Sequence, residues 1–202
     1  MAILVLAGAG GWIYCYWVSA PDRAQEEAAL AEKLLGVGTY DQAMRHFDRA
    51  IQIWPDYADA YLNRGLAEHG ASHRLEALAD LGRALDLDPS LTRAYNARCQ
   101  IDLETGDVQK TIRDCSKSIQ MSPTLDAYYQ RGEAYEKIGE HQKAIADFDA
   151  AIAESREAPF AYRARSVAKR NAGDREGSRA DDEQARRIET GQSAETDVLR
   201  AP

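Results

Sequence analysis

Residues 74–90 read RLEALADLGRALDLDPS. Ala77, Leu78, Leu81, Ala84 and Leu85 recur at spacings of three and four, which gathers them on one face of an α-helix. Pro89 stops that helix, because it has no N–H to donate and its ring clashes with the preceding turn. The stretch has relatives along the chain: YDQAMRHFDRAIQIWPD (40–56), VQKTIRDCSKSIQMSPT (108–124) and HQKAIADFDAAIAESRE (141–157). A second motif alternates with it, as AYLNRGLA (60–67), AYNARCQI (94–101), AYYQRGEA (127–134) and AYRARSVA (161–168). Tyr61, Tyr95, Tyr128 and Tyr162 stand 34, 33 and 34 residues apart. Each unit therefore reads as a helical hairpin, turned by Gly38, Ser72, Gly106, Gly139 and Gly173.

Certain positions stay small from unit to unit. On the first helices they are Ala31, Gly65, Cys99, Gly132 and Ser166. On the second they are Ala43, Ala77, Thr111, Ala144 and Ser178, then Ala50, Ala84, Ser118, Ala151 and Ala185. Between these seats stand Phe47, Leu81, Cys115 and Phe148. Small residues let two helices close up around the larger one, so the recurrence is a packing rule.

This pattern resembles the tetratricopeptide repeat family, in which 34-residue units carry Gly/Ala, Tyr, Ala, Phe, Ala and Pro in fixed order. The resemblance covers residues 24–189, as units 24–57, 58–91, 92–124, 125–158 and 159–189. It implies an all-α, right-handed α-solenoid of four repeats and a degenerate fifth, with the first helices lining a concave groove. In the third unit Thr111, Cys115 and Ser118 depart from the family's Ala, Phe and Ala, which implies looser packing. In the fifth, Arg179, Asp182 and Arg186 replace Ile145, Phe148 and Ile152 of the fourth. Such a face cannot support another repeat and reads as the polar cap that a solenoid needs. Residues 190–202 show no periodicity and are expected to be disordered.

By repeat register the groove candidates are Asp59, Leu62, Asn63, Leu66 and His69 in the second unit, and Arg93, Asn96, Gln100 and Leu103 in the third. Asp126, Tyr129, Glu133 and Glu136 follow in the fourth, and Phe160, Arg163 and Arg170 in the fifth. The carboxylate clamp of chaperone-binding relatives is not carried over, because Ala28, Glu32 and Ala97 stand at its positions and only Asn63 and Arg93 resemble it. Arg64, Arg98, Arg131 and Arg165 recur on the first helices, and Asp80, Asp114, Asp147 and Asp181 on the second. Each Arg comes with its own carboxylate, so structural ion pairs are the better reading than a row of anion-binding arginines. Cys99 and Cys115 face the same seam, where they read first as two small core residues and alternatively as a disulfide, which is plausible only outside the cytoplasm.

Residues 1–20, MAILVLAGAGGWIYCYWVSA, are a separate object without a charged side chain. As a helix, 3–19 would span about 25 Å, close to a bilayer's hydrocarbon core. Trp12, Tyr14, Tyr16 and Trp17 crowd its end, where an aromatic belt would meet water. We read an uncleaved membrane anchor, a hydrophobic helix preceding the solenoid. The alternative is a signal peptide cut after Ala20, which would leave a secreted or periplasmic protein. The repeat domain is placed outside the cytoplasm.

The chain has 202 residues and a formal net charge of -8, which disfavours non-specific nucleic-acid binding. Charge is polarised: residues 1–155 hold 15 Lys+Arg against 24 Asp+Glu, while residues 156–188 are net basic. There is no phosphate loop, HExxH, GxSxG or CxxC motif, and His46, His69, His73 and His141 are scattered. The expectation is a non-enzymatic scaffold without metal or cofactor, binding a protein or peptide. The rivals are an exported envelope-assembly or chaperone-like factor, an enzyme built on the repeat surface, and self-assembly. Oligomeric state is not legible in the sequence.

Overall fold

The computed structural model describes residues 19–191. It contains ten α-helices in five antiparallel pairs: α1 (Ala20–Gly36) with α2 (Tyr40–Ile53), α3 (Ala58–Gly70) with α4 (Arg74–Leu87), and α5 (Thr92–Thr105) with α6 (Val108–Met121). The fourth pair is α7 (Leu125–Lys137) with α8 (His141–Glu154), and the fifth is α9 (Pro159–Asn171) with α10 (Arg175–Glu189). The residue turning each pair is left-handed, with φ of +76° at Gly38, +67° at Ser72, +85° at Gly106, +76° at Gly139 and +92° at Gly173. Among the described residues there is no strand.

One boundary differs from the sequence reading. α1 begins at Ala20 and not near residue 24. Ser19 Oγ accepts the Asp22 N–H at 3.2 Å, and Asp22 Oδ2 accepts the Ser19 N–H at 3.1 Å. This reciprocal cap, with Pro21 in the first turn, starts the helix inside the segment assigned to the anchor. The remainder of that segment, 1–18, lies outside the described residues, as do 192–202 of the tail. Among the described residues no helix is long and apolar enough to cross a membrane.

From α3 onward, each odd-numbered helix packs on its own partner, on the second helix of the preceding pair, and on the preceding odd-numbered helix. Among the described residues the backbones of the even-numbered helices do not come close to one another. The stack therefore curves toward α1, α3, α5, α7 and α9, which form its concave wall. The small positions make this approach possible: Ala31, Ala43, Ala50, Ala77, Ala84, Ala144, Ala151 and Ala185 are fully buried. Phe47, Leu81, Cys115 and Phe148 fill the seats between them and are themselves buried. Burying one large apolar side chain contributes about 1.5–3 kcal/mol, and no pair of helices holds enough of them to stand alone. α10 ends the series with Arg179 and Arg186 exposed, and its seam is closed by a hydrogen bond between Ser166 and Ser178 at 2.9 Å.

The recurrent arginines cross the same seams. Nε and Nη2 of Arg64 donate to Asp80 at 2.6 and 2.8 Å, and Arg98 does the same to Asp114. Arg131 donates to Asp147 at 2.8 and 2.7 Å, and Arg165 to Asp181 at 2.8 and 2.6 Å. Nη1 then reaches back one repeat, from Arg64 to Asp48 at 2.6 Å, from Arg131 to Ser116 at 2.9 Å and from Arg165 to Asp149 at 2.5 Å. In the third repeat the corresponding backward position is Gly82, which has no side chain to accept.

Glu68 lies one helical turn after Arg64 and is less well served. It is half-buried, its Oε2 has no hydrogen-bond partner, and burial followed by the charge of Asp80 pushes its carboxyl up to about 7. Below pH 4.5 Glu68 is protonated in folded and unfolded chains alike. Between 4.5 and 7 the unfolded chain ionises first, so the fold loses stability as pH rises, and above 7 the full penalty remains. Because solvent screens a half-buried group, we expect Glu68→Gln to gain on the order of 1 kcal/mol at pH 8 and nothing below pH 4. Thermal melts of both proteins across that range check it.

Candidate functional site

The concave wall is not an open trough along its whole length. Leu62 is 1%, Asn63 5% and Leu103 9% exposed, which corrects their assignment as groove contacts. Leu62 packs with Ala94, Ala97 and Ile101 where α3 and α5 meet. Asn63 Nδ2 donates to Glu32 Oε1 at 2.9 Å, spending its amide on the neighbouring helix. Leu66, His69 and Asn96 are half-buried, and the Asn96 carboxamide accepts from the Ser118 hydroxyl. Asp59, Arg93, Gln100, Asp126 and Arg170 are exposed.

A ladder runs along one edge of this wall, joining the ends of α3, α5, α7 and α9 in turn. His69 Nε2 meets Glu104 Oε2 at 3.2 Å, Lys137 Nζ donates to the Leu103 carbonyl at 2.9 Å, and Asn171 Nδ2 donates to Glu136 Oε1. Glu136 also holds His141 Nδ1 at 3.0 Å. The sequence reading missed Glu104, Lys137 and Asn171. Their signal is a polar residue one place after Leu103, Glu136 and Arg170, recurring at spacings of 33 and 34.

Beyond the ladder the wall opens into a pocket of about 440 Å³ between α7 and α9, floored by Phe148 of α8. Tyr129, Ala164, Phe160 and Val167 line it, with Glu133, Glu136, Lys137 and Arg163 at the rim. The Tyr129 ring meets Phe160 edge-on at 5.0 Å and Phe148 at a tilt, 5.8 Å away. Phe160 and Val167 are 44% and 39% exposed, so the pocket presents apolar surface to water. The Tyr129 hydroxyl donates to Glu133 Oε1 at 3.1 Å. Burial, then the Glu133 charge, pushes its pKa up to about 12, so it remains a hydroxyl. At the rim Arg163 is bound by Glu189 through two bonds of 3.0 and 2.5 Å, and the Lys137 ammonium is taken by the Leu103 carbonyl. The rim is therefore of mixed charge: Arg163 is paired with Glu189, Lys137 stays a cation on a carbonyl, and Glu133 and Glu136 stand beside them as carboxylates.

Of the sequence candidates, Tyr129, Glu133, Glu136, Phe160 and Arg163 come together here. Val167 and Ala164 belong with them and follow from extending the register of Leu66 and Asn63 to the fifth unit. Among the described residues no cluster of three or more His, Cys, Asp or Glu could hold a metal ion.

The fold and this wall define a helical-repeat protein, and comparison with known proteins gives the class. A model described as "TPR repeat" matches residues 37–70, and one described as "Tetratricopeptide repeat" matches residues 125–158. The chain carries tetratricopeptide repeats. It is 31% identical over 145 residues to human tetratricopeptide repeat protein 13, covering 69% of this chain and 17% of that protein. It is 30% identical over 140 residues to the Arabidopsis thaliana inactive TPR repeat-containing thioredoxin TTL3, covering 65% of this chain and 20% of that one. The chain thus spans about a fifth of the length of these curated relatives. Among solved structures it superposes on the MamA protein with a TM-score of 0.77 at 21% identity, over 85% of this chain and 94% of that one. YrrB, described as a TPR protein with an unusual peptide-binding site, gives a TM-score of 0.73 at 17% identity, over 82% and 86%. These likenesses establish an all-helical repeat solenoid.

Proposed function

We propose that this chain is a non-enzymatic scaffold that holds a protein or peptide partner on its concave wall. The observation that carries the reading is the half-open aromatic pocket between α7 and α9. Its apolar floor would take one bulky apolar side chain of the partner. Its rim, with Glu133 and Glu136 beside Lys137 and Arg163, would take polar or charged groups that flank that side chain. A preformed wall lowers the ordering cost of seating a short segment. The peptide-binding site named for YrrB supports the choice of ligand class. We further propose that residues 1–20 tether the scaffold to a membrane with the repeats outside the cytoplasm. N-terminal sequencing of the mature protein and its retention in alkali-washed membranes test that tether.

A photoreactive residue in place of Tyr129 should crosslink a partner more efficiently than one placed on exposed Lys117 of the convex face. Phe160→Ala should weaken capture of that partner about 30-fold, as expected when an anchoring aromatic is truncated. Because Phe160 is nearly half exposed, its melting temperature should move little. Equal crosslinking from both faces would remove the support for this wall as the binding surface.

A further inference from the structure

The third repeat combines three local deficits. Its arginine, Arg98, makes two bonds to Asp114 but has no side chain to reach at Gly82. Asp102, 2% exposed, keeps a carboxylate oxygen without any hydrogen-bond partner, and burial followed by the Asp114 charge raises its pKa. The seat and the filler of its seam are both cysteines, Cys99 and Cys115, where the flanking repeats pair Gly65 with Leu81 and Gly132 with Phe148. Two thiols supply less apolar volume than a phenyl or isobutyl group against glycine. Yet this repeat is the middle of the solenoid, and its failure would divide the concave wall. The structure brings Cys99 of α5 and Cys115 of α6 into a disulfide, with Cα atoms 5.5 Å apart and both residues fully buried.

We infer that Cys99–Cys115 is a native structural disulfide that stands in for the missing core volume of the third repeat and requires an oxidising compartment. Its formation is a thiol–disulfide exchange. One cysteine thiolate attacks a donor disulfide and expels one donor thiol. The other then displaces the second donor sulfur, so that two electrons and two protons leave the pair. A donor of the dithiol–disulfide oxidoreductase class supplies the oxidant. Because both sulfurs are buried once α5 and α6 close, exchange precedes closure and the finished bond is shielded from solvent reductants.

The test uses the full chain, expressed for export and purified without reductant. It is alkylated in guanidinium with and without prior reduction and read by peptide mass. Cys99 and Cys115 should be unlabelled before reduction and both labelled after it. Reduction should lower the melting temperature by roughly 6–12 °C, from the chain entropy released on opening a short loop. The double change Cys99→Gly with Cys115→Leu, copying the second repeat's pair, should melt above the reduced protein and be insensitive to reductant. Full labelling before reduction would overturn the inference. So would a melting temperature that reduction leaves unchanged, whether or not the double variant folds.

Discussion

Phe148→Ala should cost about 3–5 kcal/mol and unfold the C-terminal repeats before the N-terminal ones. Phe148 is 1% exposed and sits among Ala144, Ala168, Tyr129, Tyr135, Ile145 and Ala164. It closes against Gly132, where an added Cβ would meet its ring at 2.7 Å, so the two surfaces have no slack. Truncation leaves a void that the helices cannot close, because Arg131 bound to Asp147 fixes their separation one residue away. In a stack where each repeat leans only on its neighbours, the loss stays local. Hydrogen exchange should therefore quicken across α7–α10 while α1–α4 keep their protection. The same change removes the floor of the pocket, so binding should fail along with stability, unlike Phe160→Ala. Uniform exchange along the chain would show one cooperative unit in place of stacked repeats.

The contrast between these two phenylalanines shows how much was legible in the sequence. Phe148 belongs to a pattern repeated along the chain, and its burial follows from periodicity alone. The turns inside each hairpin lie where the sequence places them for the same reason, since left-handed residues at Gly38, Ser72, Gly106, Gly139 and Gly173 punctuate every unit. The start of α1 is different: it depends on a local cap at Ser19 and Asp22, which periodicity does not register. The binding wall was less legible. Register placed Leu62, Asn63, Leu66 and Tyr129 on one face, but could not say how closely successive first helices approach. Where Ala97 meets Leu62 the wall is shut, and where Ala164 faces Tyr129 across an aromatic pair it stays open. That difference arises from side-chain volume across two repeats, which a repeat unit read singly does not contain.

Asp147→Ala should be nearly as damaging as the loss of Phe148, by about 3 kcal/mol, for an electrostatic reason. Asp147 is 6% exposed and accepts two bonds from Arg131, whose guanidinium also lies 6.0 Å from the ring centres of Tyr128 and Tyr135. The Asp147 hydrogen bond, the largest influence on it, raises the Arg131 pKa against the cost of burial, so this side chain stays charged. Removing the carboxylate leaves that charge facing two rings and the Ser116 hydroxyl, and breaking one side of a buried pair typically costs 3–5 kcal/mol. The lower end applies because the Arg131 side chain retains 18% exposure and those other partners. Replacing both, as Arg131→Met with Asp147→Leu, should recover most of the loss, since an apolar pair avoids desolvating either ion. Denaturant melts of the two single variants and the double variant give the coupling directly. Should the double variant be as unstable as the sum of the singles, the pair contributes through geometry that methionine and leucine cannot copy, and the recurrence of Arg and Asp along the solenoid would reflect a shape requirement more than charge.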